Sequence, residues 1–264
     1  MYILVPRAPE PVPIDTFNGM ISNVQLYNRA LTPSQIQNIY DSGPSGIPIQ
    51  NDNIIGWWPL DGTVDDYSGY GNNGTSQALF ASSYYGSPSG YYLASFNQSS
   101  NALIPHSNAP LINAPFSVSF MFSTVQPYTA NFLSELVDGE QPSGYALNIS
   151  LCGGALRTAC PNGYGLTTSI GTGSGALGTK IYKFSFSANT LYDVTETFGT
   201  GGSTLFINGI NVSYFSYSGT PTVVGGNKLS ANRRQRGWKS TQRPDNRSGN
   251  IQFRFDLSAG DAAL

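Results

Sequence analysis

The chain has 264 residues, and 11% of them are charged, against about 25% in an average soluble protein. Glycine (30), proline (17), tyrosine (16) and phenylalanine (14) are abundant. This composition disfavours a helical bundle, whose exposed faces need charged residues, and favours short strands joined by turns. No apolar run approaches the ~18–20 residues of a membrane span, so we expect no membrane insertion. A single histidine, His106, excludes a site built from several histidines.

The formal net charge of −2 is unevenly distributed along the chain. Residues 1–227 contain 5 Lys and Arg against 12 Asp and Glu, whereas residues 228–264 contain 8 against 3. A basic stretch is typical of proteins that bind nucleic acid or an anionic surface. We interpret residues 232–264 instead as a disordered or out-of-frame tail, and we expect no nucleic-acid partner.

Four further segments can be separated by composition and periodicity. Residues 1–16 are Pro-rich, and their opening MYILVPRAPEP contains no secretory signal. Residues 17–43 predict a strand followed by a helix, and residues 44–53 are a linker of turn-forming residues. Residues 54–231 then form one long series of short strands, which we interpret as the body of the domain.

The segment 17–43 contains the clearest local signals. Its first half alternates and places Met20, Ser22, Val24 and Leu26 on one side of a strand, so that side is predicted to be mainly apolar. A helix is predicted to follow this strand. Thr32 is its N-cap, Pro33 its first residue and Gln35 the second member of a capping box, while Gly43 lies just past its end. Its apolar residues recur at helical spacing, and they are Ile36, Ile39 and Tyr40. Such a short helix needs to pack on another element.

In the body, alternating runs are separated by turn residues. We predict strands near 54–60, 91–97, 101–105, 116–123, 131–137, 144–151, 163–170, 179–187, 190–198, 203–207, 210–217 and 221–225. Asn208-Gly209 lies between two alternating runs, which is the strongest short-range signal for a two-residue hairpin. Many short strands with no helical period between them predict an all-β antiparallel sandwich.

Three stretches resemble a known family. Residues 55–62 read I-G-W-W-P-L-D-G, residues 66–75 read D-Y-S-G-Y-G-N-N-G-T, and residues 17–31 read F-N-G-M-I-S-N-V-Q-L-Y-N-R-A-L. They resemble the opening strand and loop (W-x-F/L-D, D-x-S-G-x-G-N-x-G) and the closing strand (F-x-G-x-I-D-x-V-R-I-Y-N-R-A-L) of laminin G-like domains in the concanavalin A-like lectin/glucanase superfamily. The resemblance implies a jelly-roll sandwich with one short N-terminal helix, and an extracellular or cell-surface location.

The order of these motifs is reversed, because the closing strand precedes the opening strand. One reading is a fragment, in which the end of one repeat, a linker and an incomplete second repeat follow one another. The other is a permuted closure, in which residues 17–31 fill the place of a missing C-terminal strand. In that case the segments around Val24 and Trp58 are antiparallel neighbours in one sandwich, and deletion of residues 1–43 destabilises the domain.

The loop after Trp58 is rich in oxygen ligands. Asp61, Asp65 and Asp66, with two asparagines, offer the hard donors that calcium prefers, although their spacing is not that of an EF-hand. Asp and Asn beside Gly69 and Gly71 are equally typical of turns, in which their side chains bond nearby amides. Both readings stay open, and calcium is the one cofactor that we consider.

A second acidic group, Glu135, Asp138 and Glu140, invites comparison with glucanases on the same sandwich. Its spacing differs from the i, i+2, i+4 arrangement of their carboxylates, and retaining hydrolysis needs two carboxyl groups ~5–5.5 Å apart. We therefore interpret this stretch as the tip of a hairpin, with Asp138 and Glu140 as further calcium candidates. No enzymatic activity is predicted, and a glycoside hydrolase is the least favoured alternative.

Cysteine and aromatic residues supply the remaining candidates. Cys152 and Cys160 are the only cysteines, and a disulfide between them would close a local loop and suit an oxidising compartment. Four aromatic side chains are candidates for stacking on sugar rings: Trp57, Tyr70, Tyr84 and Tyr85.

The function implied by the resemblance is a non-catalytic binding or adhesion module for glycan or extracellular protein ligands. The alternative is a structural spacer repeat of a cell-surface array, whose partners are neighbouring repeats of the same polypeptide. Adjacent strand residues face opposite ways, so one tryptophan of the pair is expected in the core. The resemblance implies that this is Trp58, which leaves Trp57 on the outer face or under the returning N-terminal segment.

Overall fold

A computed structural model describes residues 19–44, 46–48, 53–76, 79–81, 93–96, 102–105, 112–124, 133–141, 144–152, 165–172, 175–223 and 250–253. These residues form one helix and seventeen strands. In chain order they are β1 (Gly19–Tyr27), α1 (Pro33–Ser42), β2 (Ile54–Trp58), β3 (Thr75–Ser76), β4 (Leu79–Ala81), β5 (Leu93–Phe96), β6 (Ala102–Pro105), β7 (Ile112–Asn113), β8 (Phe116–Thr124), β9 (Leu133–Gln141), β10 (Gly144–Cys152), β11 (Leu166–Thr172), β12 (Gly175–Tyr182), β13 (Tyr192–Gly199), β14 (Gly202–Ile207), β15 (Ile210–Ser216), β16 (Thr222–Val223) and β17 (Asn250–Phe253).

The strands form two main sheets. Sheet A has the order β15-β14-β13-β8-β1-β5-β4, and β2 pairs with β1 beside β5. Sheet B has the order β12-β11-β10-β9-β17-β6-β3, while β7 and β16 form a separate pair. The pairs described are antiparallel throughout. The predicted all-β antiparallel sandwich is therefore confirmed.

The apolar core lies between the two sheets. Sheet A contributes alternate residues of β8 and β13, including Phe116 and Phe198, whose rings stack with centroids 4.5 Å apart. Sheet B contributes Leu166, Ile170 and Tyr182. This alternation is the reason why β8 and β13 hold their register, because a slip of one residue would move every core side chain to the wrong face.

Strand β1 lies inside sheet A, with β8 on one side and β5 and β2 on the other. Val24 lies opposite Trp58 in the antiparallel pair of β1 and β2. The pairing that we expected between these two segments is thus observed. A central position leaves neither edge of β1 unpaired, which avoids the exposed strand edges that favour aggregation.

A bulge changes which side chains of β1 face the core. The register with β8 shifts between Ser22 and Gln25, and Asn23 has φ 48°. One extra residue reverses the alternation, so Ile21 joins Val24 and Leu26 in the core. The predicted alternation was therefore wrong for Met20 and Ser22, which face away from sheet B.

Helix α1 agrees with its predicted signals. Thr32 accepts from the backbone N–H of Gln35, the Gln35 side chain accepts from the backbone N–H of Thr32, and Gly43 has φ 69° at the end. Ile36 and Ile39 are buried, whereas Tyr40 is exposed. The helix covers the face of sheet A that points away from sheet B, packing there with Tyr27, Ile54 and Phe206 among others.

One turn, one strand end and one segment of the tail can also be compared with the sequence predictions. Asn208 (φ 53°) and Gly209 (φ 76°) form the predicted two-residue hairpin between β14 and β15. Strand β9 continues to Gln141, beyond the predicted end at residue 137. The tail, which we expected to lie outside the fold, contributes β17, and its residues 250–253 pair with β6.

Candidate functional site

The loop of residues 59–74, called the tyrosine loop below, is organised around one carboxylate. Asp66 Oδ1 accepts from the backbone N–H of Trp57 at 3.0 Å and of Ser68 at 2.9 Å. Its Oδ2 accepts from the backbone N–H and the side-chain amide of Asn72, both at 2.9 Å. One of these four N–H donors belongs to β2 and three belong to the loop, so the carboxylate attaches the loop to β2 and also holds its shape as a preorganised surface.

Further hydrogen bonds attach the tyrosine loop to the core. The Trp58 indole donates to the Asn72 carbonyl at 2.9 Å, and Gly74 N–H donates to the Val64 carbonyl at 2.7 Å. The Trp58 ring lies directly over Gly56, where an added Cβ would stand 2.2 Å from the ring. Trp58 is buried, as expected for the core member of the tryptophan pair.

The tyrosine loop exposes two aromatic rings. Tyr67 is 55% exposed and Tyr70 is 54% exposed. Tyr67 contacts half-buried Trp57 edge to face, with ring centroids 5.8 Å apart. The Trp57 indole in turn donates to Asn23 Oδ1 at 3.0 Å, at the bulge of β1. Trp57 therefore supports Tyr67 from behind, while the two tyrosines present their rings to solvent.

The carboxylates of this loop do not fit a calcium site. Asp61 and Asp65 are exposed, and both oxygens of Asp66 already accept N–H donors. Asn73 Oδ1 accepts from the backbone N–H of Asp66 at 2.9 Å. Across the described segments, no group of three or more His, Cys, Asp or Glu could hold a metal ion. The turn reading explains these residues, and the calcium reading has no support here.

Other predicted site residues are placed only in part. Asp138 and Glu140 lie within β9, opposite Asn148 and Tyr145 of β10, and the hairpin that we predicted here closes one residue beyond Glu140, at the pair Gln141–Gly144. Cys152 is the last residue of β10. Three candidates fall outside the described residues, and they are Tyr84, Tyr85 and Cys160. The proposed disulfide therefore stays a prediction.

A buried carboxylate links the two sheets. Glu196 of β13 is fully buried and accepts three hydroxyl hydrogen bonds. Oε2 accepts from Thr168 at 2.6 Å, while Oε1 accepts from Tyr182 at 2.8 Å and from Ser203 at 2.7 Å. Burial raises the pKa of Glu196, and the three hydroxyl donors lower it again in part. Because Thr168 and Tyr182 belong to sheet B, this carboxyl fastens one sheet to the other.

The opposite face of β13 carries a second buried acid. Asp193 Oδ1 receives a long contact of 3.4 Å from the Thr195 hydroxyl, which also donates to Ser119 Oγ at 2.9 Å. Among the described residues, three buried oxygens on this face of sheet A have no hydrogen-bond partner: Asp193 Oδ2, Ser22 Oγ and Ser123 Oγ. Burial raises the pKa of the Asp193 carboxyl to about 7.

A polar layer lies between this face and the segment that follows α1. Gln25 donates to Asn23 Oδ1 at 2.8 Å and to the Gly46 carbonyl at 3.3 Å, and it accepts from the Tyr27 hydroxyl. The Asn23 amide donates to the Gly43 carbonyl at 3.4 Å. These bonds fix the chain after α1 on sheet A. Burial, together with the nearby Asp193 charge, raises the pKa of Tyr27.

The edge strand β15 exposes an apolar strip. Ile210 is 66% exposed, Tyr214 is 57% exposed and Val212 lies between them, also exposed. The register between β14 and β15 shifts at Leu205 and Phe206. Residues 202–223 contain no charged side chain. The hairpin signal predicted this strand, but only the structure shows that it lies at a sheet edge.

Sequence reasoning missed the roles of both buried acids. Glu196 shares its parity with Val194 and Phe198, so the alternation of β13 places it on the core side. That signal was available. Asp193 and Thr195 have the parity of a solvent-facing side, yet both are buried on the face of sheet A that also carries α1.

Comparisons with known proteins add little to this description. No protein-family model matches the chain, and no curated protein matches it. In the part of the chain described above, the ten residues of α1 fall far short of a membrane-spanning helix. Among solved structures, the chain is similar to domain 4 of AbnA, a GH43 extracellular arabinanase from Geobacillus stearothermophilus, in complex with arabinotriose. The two are 17% identical, the match covers 62% of this chain and 73% of that chain, and the TM-score is 0.41.

Proposed function

We propose that this domain is a non-catalytic, laminin G-like binding module for glycan or protein ligands in a surface or secreted multidomain protein. The observation that carries the proposal is the pair of exposed rings, Tyr67 and Tyr70, on a loop that its own hydrogen bonds hold in place. A fixed aromatic surface loses little conformational entropy when a ligand binds, which is what a binding module requires. The neighbouring pair of β1 and β2 supports the laminin G-like reading, because these strands carry its closing and opening motifs.

The absence of catalysis is part of the proposal. The two acids with raised pKa values, Asp193 and Glu196, would be the natural candidates for proton transfer. Both are at most 2% exposed, so a substrate has no access to them. Among the described residues, the exposed acids of the tyrosine loop, Asp61 and Asp65, belong to no group of three or more His, Cys, Asp or Glu that could hold a metal ion.

The test is retention on immobilised polysaccharides and extracellular-matrix proteins, followed by an assay for released reducing sugar. We expect the wild-type chain to be retained by at least one glycan or protein ligand, and a Tyr67→Ala/Tyr70→Ala double variant to be released. Tyr40→Ala, which removes an exposed tyrosine from α1, is the matched control. Equal retention of the double variant, or release of reducing sugar, would overturn the proposal.

A structural spacer repeat is the second candidate, and the strip on β15 is the observation that favours it. Ile210, Val212 and Tyr214 are exposed on an uncharged edge strand, a surface that suits contact with a neighbouring repeat. Sedimentation velocity tests this reading. A spacer contact predicts self-association that Val212→Lys abolishes, whereas a monomer at all concentrations argues against it.

A further inference from the structure

We propose that the tyrosine loop binds uncharged saccharides without calcium, and that Asp61 and Asp65 keep polyanions away from it. The inference rests on the proposed function and names the ligand class of the same site. It follows the turn reading of this loop and departs from the calcium reading that the sequence left open. Three properties of the loop carry the inference: its internal hydrogen bonding, its charge and the chemistry of its exposed groups.

The loop is already complete without a cation. Calcium orders a loop by drawing several oxygens toward one point, but here the central carboxylate is surrounded by N–H groups. Each oxygen of Asp66 accepts two donors at 2.9–3.0 Å, which uses its two lone-pair positions. A cation at Asp66 would displace the amides of Asn72 or Ser68. Calcium bound at Asp66 would therefore disrupt the hydrogen bonds that order the loop.

The charged side chains within the loop itself have one sign. Residues 57–74 contain Asp61, Asp65 and Asp66 and neither Lys nor Arg, and no Lys or Arg occurs anywhere between Arg29 and Arg157. The sequence thus places no basic side chain within the loop to attract a sulfate or a uronate. A polyanion that reached Tyr67 and Tyr70 would meet exposed carboxylates, and this like-charge contact selects against it.

An uncharged saccharide suits the same groups. Its C–H faces can lie on the exposed rings of Tyr67 and Tyr70, whose apolar faces are otherwise in contact with water. Its hydroxyl groups can donate to Asp61 and Asp65, since an ionised carboxylate accepts hydrogen bonds and donates none. The acids that repel a polyanion thus become hydrogen-bond acceptors for a polyol.

Affinity electrophoresis of the full chain tests the ligand class. Gels contain arabinan, xylan or mixed-linkage β-glucan as uncharged polymers, and polygalacturonate or heparin as polyanions, each with calcium or with EDTA. We expect retardation by at least one uncharged polymer, a change below about twofold on adding EDTA, and about tenfold weaker binding for Tyr67→Ala or Tyr70→Ala. That factor corresponds to about 1.4 kcal/mol per tyrosine. Tyr40→Ala serves again as the control.

The charge of the loop is tested separately, because the basic residues after position 227 can themselves bind polyanions. Each protein is compared with its own Tyr67→Ala derivative, so that only retention through the tyrosine loop is counted. In the wild type, Tyr67→Ala should not alter polyanion retention. In the Asp61→Asn/Asp65→Asn variant, a Tyr67-dependent retention by polygalacturonate should appear, while binding of the uncharged polymer changes less than about threefold.

The outcomes separate the two proposals. If EDTA abolishes binding, or if a polyanion retards the wild-type protein through Tyr67, the proposed ligand class is wrong. The proposed binding function remains in either case. If none of the five polymers retards the protein in a way that depends on Tyr67, this inference is overturned. If a protein ligand is then bound through the same tyrosines, the proposed function still stands. If no protein ligand is bound either, the proposed function and this inference are both wrong.

Discussion

Glu196 and Asp193 lie three residues apart on β13 and are both buried, yet their carboxyl groups have opposite surroundings. Glu196 faces sheet B and accepts three hydroxyl hydrogen bonds, whereas Asp193 faces the side of α1 and has one oxygen without a partner. Burial raises the pKa of both groups. The free-energy cost of burying an acid therefore depends on how many hydrogen-bond donors face its carboxyl group.

The largest expected effect comes from removing the better-bonded acid. Glu196→Ala leaves the hydroxyls of Thr168, Tyr182 and Ser203 without their acceptor and opens a cavity between the sheets. We expect a loss of about 3–5 kcal/mol in the free energy of unfolding, measured by urea denaturation. A loss below about 1 kcal/mol would mean that Glu196 does not link the sheets.

The second effect is a pH dependence that comes from the poorly bonded acid. The pKa of Asp193 is 3.8 in a model peptide and about 7 in the folded chain. Between these values the folded state binds more protons than the unfolded state. The contribution of Asp193 to stability therefore falls as pH rises, with a slope approaching about 1.4 kcal/mol per pH unit, and this contribution changes no further above pH ~7.

Asp193→Asn should flatten this fall, measured as the urea midpoint between pH ~4 and ~8. The raised pKa of Glu196 contributes a slope of the same sign, so some dependence remains in the variant. Asp41→Asn, on the exposed surface of α1, is the charge-matched control. Identical slopes for the wild type and Asp193→Asn would contradict the assignment of this fall to Asp193.

A third carboxylate extends the comparison to the surface. Asp66 accepts four N–H groups, while its neighbour Asp65 is exposed. We expect Asp66→Ala to cost about 2–3 kcal/mol, since it leaves the Trp57 and Asn72 amides unpaired. Asp65→Ala should change stability by less than about 0.5 kcal/mol. Equal effects of the two substitutions, measured by thermal unfolding, would show that Asp66 does not organise the loop.

The smallest effects come from two serines on opposite faces of sheet A. Ser203 donates to Glu196 at 2.7 Å, whereas Ser22 Oγ has no partner, and both are about 1% exposed. Ser203→Ala should destabilise the chain by about 1–2 kcal/mol. Ser22→Ala removes an unsatisfied hydroxyl and should stabilise it by about 1 kcal/mol. Shifts of the same sign in the urea midpoint would contradict the comparison.

Local signals predicted the elements that depend on neighbouring residues. The cap and end of α1 and the Asn208-Gly209 turn appear where the sequence places them, because each is specified by residues within a few positions. The pairing of β1 with β2 was also predicted, although from a family resemblance and not from periodicity.

Three features depend on long-range packing and could not be predicted from the sequence. The bulge at Asn23 reverses the faces of β1, and no residue type in its vicinity demands this. Strand β17 comes from a segment whose composition indicates disorder. In the tyrosine loop, the residue types were compatible with both a turn and a metal site, and only the direction of the amides around Asp66 decides between them.

The position of β1 has a mechanical consequence. β1 is bonded to β8 along one edge and to β5 and β2 along the other, with hydrogen bonds that run across its length. Tension applied at Gly19 along the axis of β1 would load the ladders on both of its edges in shear, so the hydrogen bonds of two edges would share the force. The domain is therefore built to resist being pulled apart from that side.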